Sequence, residues 1–279
     1  MKKSITILSL LMVTSLMAQN FQGKAIYKTH RKVDMKIGGK GGAAISDAQK
    51  AQFEAMMKKQ FQKTFVLTFD KNSSIYKEEK KLNAPVAIPK GGMNVMVMGS
   101  GGGSDVFYKD TQKKRFVNKT EIMGKRFLIK DELPKNDWEL TNETKNIGVY
   151  TCYKATYTRE IERTNMTVED GEMKTKKKKI NVVTTAWYTT AIPVSNGPSN
   201  YSGLPGLILE IQEGDQTIIC SEIVINPKDK IKIEEPKKGK VVSQKQYEKI
   251  MAKKSKEMME SFKSRRKGKG KNVEIRIGG

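Results

Sequence analysis

The stretch of this sequence that decides the fold is Tyr201-Ser202-Gly203-Leu204-Pro205-Gly206-Leu207-Ile208-Leu209-Glu210-Ile211. Its two glycines permit backbone dihedrals that other residues avoid. Pro205 fixes its own φ and pushes Leu204 towards extended geometry. The apolar run that follows is typical of a buried strand. The stretch therefore predicts a tight structural corner that leads directly into the core.

Alternating apolar and polar residues on both sides of this corner predict strands. Before it, the pattern predicts a first strand at residues 22–36, a hairpin of residues 64–70 with Ile75-Tyr76, and a further strand at 180–189. Short segments separated by turn residues indicate a β-meander at residues 106–109, 115–121, 126–131, 138–141 and 147–159. After it, Glu213-Gly214-Asp215-Gln216 is a hairpin signal, and a last strand is expected at residues 230–233. We expect a mainly β (α+β) fold, built on a curved antiparallel sheet or a partly open β-barrel.

Two helices are expected outside this sheet. Ser46 with Gln49 forms a capping-box pattern that predicts an N-terminal helix. Its apolar residues recur at helical spacing: Phe53, Met56, Met57 and Phe61. Ser243 precedes a basic amphipathic C-terminal helix, whose apolar positions are Tyr247, Ile250, Met251, Met258 and Phe262.

The N-terminus predicts export. Lys2 and Lys3 precede an apolar run and a small-residue exit at Ala18, which is typical of a signal peptide over residues 1–18. We expect one β-rich domain at 19–242, with insertions at 82–104 and 160–179, and a basic helix with a flexible tail at 243–279. The expected location is the periplasm or the outer membrane, with secretion as an alternative.

The charge balance predicts an anionic contact. The chain has 53 Lys+Arg against 30 Asp+Glu and a net charge of +23. Such a surface attracts nucleic acid, anionic lipid or acidic glycan, and export argues against nucleic acid. The tail Arg265-Arg266-Lys267-Gly268-Lys269-Gly270-Lys271 is the expected contact with an anionic lipid or glycan surface.

Cys152 and Cys220 are the only two cysteines. Export permits a disulfide, which would stabilise the fold by about 4 kcal/mol in the chain-entropy model. Two buried free thiols are the alternative, and the sequence leaves both open.

The residues needed for catalysis are sparse. His30 is the only histidine and lies in a predicted strand, without a companion for a zinc site or a catalytic pair. The acidic pairs Asp131-Glu132 and Glu169-Asp170 lie in turn-rich sequence and are explained by solvated loops. We expect no enzymatic activity and no cofactor, with a hydrolase of unrecognised site as an alternative.

Two groups of residues are candidates for ligand binding. Aromatic residues on the central strands could line an apolar cavity, although packing also explains them: Tyr150, Tyr153, Tyr157, Trp187, Tyr188 and Tyr201. Three thioethers in the glycine-rich insertion could hold Cu(I), although a flexible apolar loop also explains them: Met93, Met96 and Met98.

Several spaced blocks resemble one family. The blocks are Trp138, residues 147–155, Ala186-Trp187-Tyr188-Thr189, Ile192-Pro193, Gly197-Pro198 and the hexapeptide Gly203-Leu204-Pro205-Gly206-Leu207-Ile208. Together they resemble the GLPGLI family of exported Bacteroidetes proteins, in part encoded beside TonB-dependent receptors. The family has no catalytic residues to carry over. The lysine-rich residues 160–179 and the basic tail depart from its pattern.

Taken together, these observations predict a non-enzymatic, exported cell-envelope protein. It would bind an apolar ligand, or serve as an accessory module for an outer-membrane protein such as a TonB-dependent receptor. A Met-rich copper-binding protein and an unrecognised hydrolase are the alternatives.

Overall fold

A computed structural model describes residues 21–31, 62–79, 105–169, 172–229 and 231–266. These residues are mainly β, as expected, and contain one helix, α1 (Gln244–Arg266). The strands are β1 (Gln22–Arg31), β2 (Thr64–Asp70), β3 (Ser73–Glu78), β4 (Val106–Asp110), β5 (Arg115–Ile122), β6 (Lys125–Glu132), β7 (Glu139–Ile147), β8 (Tyr150–Glu169), β9 (Glu172–Thr189), β10 (Leu207–Glu213), β11 (Gln216–Ile225) and β12 (Lys240–Val242).

The strands form a single 12-stranded sheet in the order β12-β6-β5-β4-β3-β2-β1-β11-β10-β9-β8-β7. All neighbours are antiparallel except β12, which pairs with β6 in parallel. The sheet is curved and open, because its two end strands, β12 and β7, do not pair with each other. The expected curved antiparallel sheet is therefore confirmed.

Tight turns connect most neighbouring strands. Gly124, Gly148 and Gly214 each have a positive φ between paired strands, where glycine carries no steric penalty. The hairpin predicted around Gly214 is present as β10 and β11. Local turn chemistry thus explains why sequential strands lie side by side.

The main core lies on one face of the sheet, which we call the inner face. Cross-strand partners share a face, so the register assigns Tyr27, Leu67, Ala155 and Tyr188 to it. The corner segment, defined as residues 190–206, packs against these side chains through buried residues: Ile192, Val194, Tyr201 and Leu204. The chain therefore covers part of its own inner face.

Gly206 lies where the corner segment enters β10. A Cβ atom at Gly206 would overlap the carbonyl oxygen of Thr189, whereas Gly203 has a φ of +100° and a Cβ atom there would meet the Trp138 ring only at an ordinary contact distance of 3.6 Å. Gly206 is therefore needed because the Thr189 backbone leaves no room for a side chain. Gly203 is needed because its φ is left-handed.

Helix α1 packs beside the opposite end of the sheet. Gln246 N donates to Ser243 Oγ (3.2 Å) and Ser243 N donates to Gln246 Oε1 (2.9 Å), which forms a capping box. Tyr247 packs edge-on against Phe127, with ring centroids 5.9 Å apart. The C-terminal helix is confirmed, whereas the helix predicted after Ser46 lies outside the described residues. Among these residues, no helix is long and apolar enough to cross a membrane.

The strand expected at residues 230–233 is absent from the described part of that range. Ile233 packs instead against a small cluster that contains Leu128, and Glu235 accepts a hydrogen bond from Arg115 (2.7 Å). Side-chain contacts hold this segment against the sheet. The strand that pairs with β6 at this end is β12, further along the chain. The alternation of Ile and Lys at 230–233 was therefore a misleading signal.

Candidate functional site

The corner segment is held by a buried lysine. Lys109 on β4 is fully buried, and its Nζ donates to the carbonyl oxygens of Gly197 (2.6 Å) and Tyr201 (3.0 Å). Ser74, its partner on β3, donates to Asn196 Oδ1 (3.2 Å). Burial lowers the pKa of Lys109 well below its ordinary value. The corner segment is thus bound to strands on the other half of the sheet.

A second polar cluster surrounds Glu213 at the end of β10. The carboxylate accepts hydrogen bonds from Arg159 Nη2 (2.6 Å), Thr184 Oγ1 (2.6 Å) and the Tyr201 hydroxyl (3.2 Å). Burial and the Glu213 charge raise the pKa of Tyr201. The three donors satisfy Glu213, so the cluster ties the corner segment to β8 and β9.

A third cluster surrounds Glu210, which is only 4% exposed. Lys145 Nζ lies 2.7 Å from Glu210 Oε2 and 4.4 Å from the centre of the Trp187 ring. Gln212 donates to the other carboxylate oxygen (2.6 Å). The register assigns Glu210 and Trp187 to the face opposite the inner face. Paired charge makes burial of Glu210 tolerable.

The six aromatic candidates do not form one surface. Tyr153 and Tyr188 are cross-strand partners on the inner face, with ring centroids 6.0 Å apart. Tyr157 and Tyr201 are buried in the core, whereas alternation places Tyr150 and Trp187 on the other face. Tyr153 is 38% exposed. It is the most exposed of the six.

Trp138 joins the corner segment to β8. Its Nε1 donates to the carbonyl oxygen of Ser202 (2.9 Å), and its ring meets Tyr157 edge-on at 4.7 Å. Gly203 lies against the same indole ring. Trp138 and Gly203 belong to the first and last blocks of the family resemblance, and the fold brings them into contact.

Both cysteines are buried free thiols. Burial raises the pKa of Cys152 to about 11 and that of Cys220 to about 12, and both values disfavour the reactive thiolate. The structure therefore has the two free thiols, and the disulfide stays a prediction for the oxidised chain.

The remaining candidates form no catalytic or metal site in the described residues. His30 lies exposed on β1, and Asp131 accepts a hydrogen bond from the backbone N–H of Gln244 at the start of α1 (2.9 Å). No group of three or more potential metal-ligating side chains occurs in this part of the chain. The three methionines, Met93, Met96 and Met98, lie outside the described residues.

Within the described residues, β7 is the long edge strand of the sheet, because only β8 pairs with it. Its register with β8 breaks between Leu140 and Thr144, and Lys154 reaches Glu143 at 2.7 Å. Leu140 is 60% exposed, and Val149 in the following turn is 92% exposed. Apolar side chains are therefore presented to solvent beside a strand with one unpaired side.

The chain was compared with known families and structures. Residues 138–210 match a family described as Protein of unknown function (Porph_ging). The similarity supports a family of unknown function; the GLPGLI resemblance, whose hexapeptide lies within these residues, stays a prediction. No curated protein matches the chain.

Two solved structures of PNGF-II are similar in part. The structure in the P21 space group has a TM-score of 0.47 and 13% identity, covering 84% of this chain and 34% of that one. The structure in the C2 space group has a TM-score of 0.46 and 14% identity, covering 84% and 33%. The chain thus spans about a third of the length of these structures.

The family match has a clear structural meaning. Residues 138–210 comprise β7, β8, β9, the corner segment and the first half of β10. They include Lys145, Trp187 and Glu210, but not Lys109, which holds the corner from β4. The matched region is therefore the β7 end of the sheet together with the corner segment.

Sequence reasoning missed the roles of two buried charged residues, Glu210 and Lys109. Glu210 had a visible signal, because it is the only charged residue in the apolar run from Leu207 to Ile211. Lys109 had none, since a lysine in a short strand is usually solvent-exposed. Its role emerges only when the corner segment is folded back over β4.

Proposed function

We propose that this protein is a non-enzymatic, exported cell-envelope module that binds another protein through the edge strand β7. The observation that carries the proposal is that β7 has no second partner among the described strands and lies beside two exposed apolar side chains, Leu140 and Val149. Both residues lie inside the family-matched region. An outer-membrane protein such as a TonB-dependent receptor is the candidate partner.

An unpaired strand edge is a natural binding element. Its free N–H and C=O groups accept an extended segment of another chain, and neighbouring side chains select that segment. β7 has 9 residues, enough for several main-chain hydrogen bonds. Its charged residues Glu139, Glu143 and Lys145 oppose indiscriminate pairing and favour a complementary partner.

The other end of the sheet is less suited to this role. β12 has only 3 residues, and α1 begins two residues after it. A three-residue strand offers few main-chain hydrogen bonds to a partner. The two ends of the sheet therefore differ in what they offer.

The geometry favours a protein partner over an apolar small molecule. Two of the aromatics expected to line a cavity are buried in the core instead: Tyr157 packs beside the corner segment, and Tyr201 is part of that segment. A ligand would have to displace this segment and break both hydrogen bonds of Lys109. A carrier function thus requires a costly rearrangement.

Copper binding and thiol-dependent hydrolysis find less support. Copper binding depends on the methionines of the glycine-rich insertion, which lies outside the described residues. A thiol-dependent hydrolase would need a thiolate, and the raised pKa values of Cys152 and Cys220 oppose its formation at neutral pH.

Opposite ends of the sheet supply a matched test. Leu140 on β7 and Val241 on β12 are both apolar and both 60% exposed. A photo-crosslinking residue at position 140 of the full chain, in its own envelope, should capture a discrete protein, and the same residue at 241 should not. Leu140→Glu should abolish co-purification of that protein, and Val241→Glu should retain it.

Two results would contradict the proposal. One is equal capture from both positions, which indicates non-specific contact. The other is a purified chain that carries a stoichiometric lipid in native mass spectrometry and no protein, which favours the carrier.

A further inference from the structure

The face of the sheet opposite the inner face, which we call the outer face, is open to solvent at β1. Alternation along β1 places Lys24, Ile26 and Lys28 on this face, because Ala25 and Tyr27 between them belong to the inner-face core. Lys24 and Lys28 are exposed. A partner can therefore approach β1 from this side.

Three exposed lysines of the outer face surround one position of the sheet. Val66 on β2 is the register partner of both Ile26 and Lys77, and Lys24 and Lys28 lie on either side of Ile26. Lys24 and Lys28 are ~13 Å apart along β1, and Lys77 lies two strands from β1, at ~10 Å. We call these three residues the lysine triangle. Their long, flexible side chains can direct three ammonium groups to one anion above Val66.

Two other lysines of the outer face are already neutralised. Alternation along β8 and β9 assigns Lys154 and Lys179 to this face, and their Nζ atoms lie 2.7 Å from carboxylate oxygens of Glu143 and Glu160. By contrast, no lysine of the triangle forms an ion pair within the described part of the chain. The triangle therefore keeps three charges that a bound anion can pair with.

Two exposed acidic residues lie at the margins of the triangle. Glu222 on β11 is the register partner of Ile26, and Glu79 follows Lys77 by two residues. The register places both outside the area between the three lysines. The centre of the triangle, over Val66, is therefore cationic.

Exposed apolar side chains lie directly beside the triangle. Ile219 is the register partner of Lys28 and is 39% exposed, and Val224 is the register partner of Lys24 and is 38% exposed. Lysines beside exposed apolar side chains are typical of proteins that lie on a bilayer. There the ammonium groups contact lipid phosphates, and the apolar groups reach the boundary of the acyl chains.

We propose that the outer face docks on a bilayer surface that carries anionic phospholipid, with the lipid phosphates at the lysine triangle. Thr64 and Thr68 flank Val66 on the same face of β2, and their hydroxyls can donate to the same phosphate oxygens. An acidic sugar polymer fits this face less well. Trp187, an outer-face ring on which a sugar could stack, already has Lys145 Nζ 4.4 Å from its centre.

The outer face contains its own matched control. Lys28→Gln with Lys77→Gln removes two charges from the triangle, and Lys154→Gln with Lys179→Gln removes two charges from paired lysines of the same face. The full chain is titrated with vesicles of phosphatidylcholine mixed with phosphatidylglycerol, with vesicles of phosphatidylcholine alone, and with dextran sulfate, a soluble polyanion. Circular dichroism and thermal unfolding check that both variants fold.

The triangle variant should bind the anionic vesicles roughly ten-fold more weakly or worse, because two lysines no longer face the charged surface. The control variant should change affinity by less than about three-fold, because its lysines are already paired. Phosphatidylcholine vesicles should bind much more weakly than the anionic ones, and added salt should weaken the anionic binding.

The apolar part of the surface has a separate test. Ile219→Thr with Val224→Thr keeps β-branched side chains on β11 and removes apolar surface beside the triangle. This variant should bind anionic vesicles a few-fold more weakly, with unchanged binding to dextran sulfate. Glu222→Gln should strengthen vesicle binding, because it removes a charge that repels the lipid phosphates.

Three outcomes overturn the proposal. The wild-type chain fails to bind anionic vesicles, the two lysine variants lose affinity equally, or dextran sulfate binds more tightly than the vesicles with the same dependence on the triangle. The second result would mean that net charge alone attracts the chain, and the third would assign the triangle to a soluble polyanion. The inference does not rest on β7: Leu140, the register partner of Ala155, lies on the inner face, so Leu140→Glu should leave vesicle binding unchanged.

Discussion

Gly203 and Gly206 lie three residues apart in the corner segment, yet the structure needs each for a different reason. Gly203 adopts a left-handed φ of +100°, and Gly206 admits the backbone of Thr189 where a Cβ atom would overlap it. A side chain at 206 must therefore push the backbone apart, whereas one at 203 strains only its own dihedrals.

Gly206→Ala should lower the free energy of unfolding by about 3 kcal/mol or more, and Gly203→Ala by about 1–2 kcal/mol. Gly214→Ala, in an open hairpin turn, is the control for a positive φ alone. Urea unfolding of the three variants checks the order. Equal costs at 203 and 206 would contradict the close approach of Gly206 to Thr189.

Lys109 makes stability depend on pH. Its two carbonyl acceptors match the two N–H bonds of a neutral amine, and burial lowers its folded pKa. Between the lowered folded pKa and the unfolded pKa, the unfolded chain binds a proton that the folded chain does not. Stability therefore rises as pH rises through that window.

The free energy of unfolding of the wild type, relative to Lys109→Met, should increase between pH 7 and pH 9.5. The slope should reach up to about 1.4 kcal/mol per pH unit. The raised pKa values of Tyr27 and Tyr76 act in the opposite direction, but only above their unfolded value of about 10. A flat or falling difference would mean that Lys109 stays charged in the fold.

At the scale of elements, the far ends of β8 and β9, residues 158–169 and 172–183, are paired only with each other and are separable from the sheet; we call them the hairpin arm. Neither β7 nor β10 pairs with it. Replacing residues 160–181 by Asn-Gly keeps the Arg159↔Val182 pair and the Arg159 contact with Glu213. The shortened hairpin should unfold within a few degrees of the wild type in a thermal scan.

A shortening that also removes Arg159 is the comparison. It should destabilise the fold by about 1–3 kcal/mol, because Glu213 then loses a charged partner. If the first shortening proves as damaging as the second, the arm supports the sheet.

Local chemistry predicts the elements well where the signal lies within a few residues. The turn at Gly214 and the helix that begins after Ser243 were predicted from the sequence, because each depends on immediate neighbours. The aromatic residues were harder: Trp187 and Tyr188 are adjacent, and alternation sends them to opposite faces. The sequence suggested one aromatic cluster on the central strands, but strand alternation places its members on two faces of the sheet.

At the scale of the whole molecule, strand order is what the sequence could not supply. The fold class follows from alternation, but the pairing of β1 with β11 joins residues nearly 200 positions apart. The site followed the same pattern. The corner was recognisable, but Lys109, which holds it, belongs to a distant strand, so its role depends on the tertiary fold.

β1 lies between β2 and β11 and joins the two halves of the sheet. The order in which the strands become available therefore affects folding. A chain delivered N-terminus first must hold β1 half-paired until residues 216–225 arrive. Pairing between strands so far apart in the sequence is slow, and one edge of β1 stays exposed until it is complete. Until β11 pairs with β1, each half of the sheet exposes apolar surface and an unpaired edge, so we expect aggregation to compete with the folding of this chain.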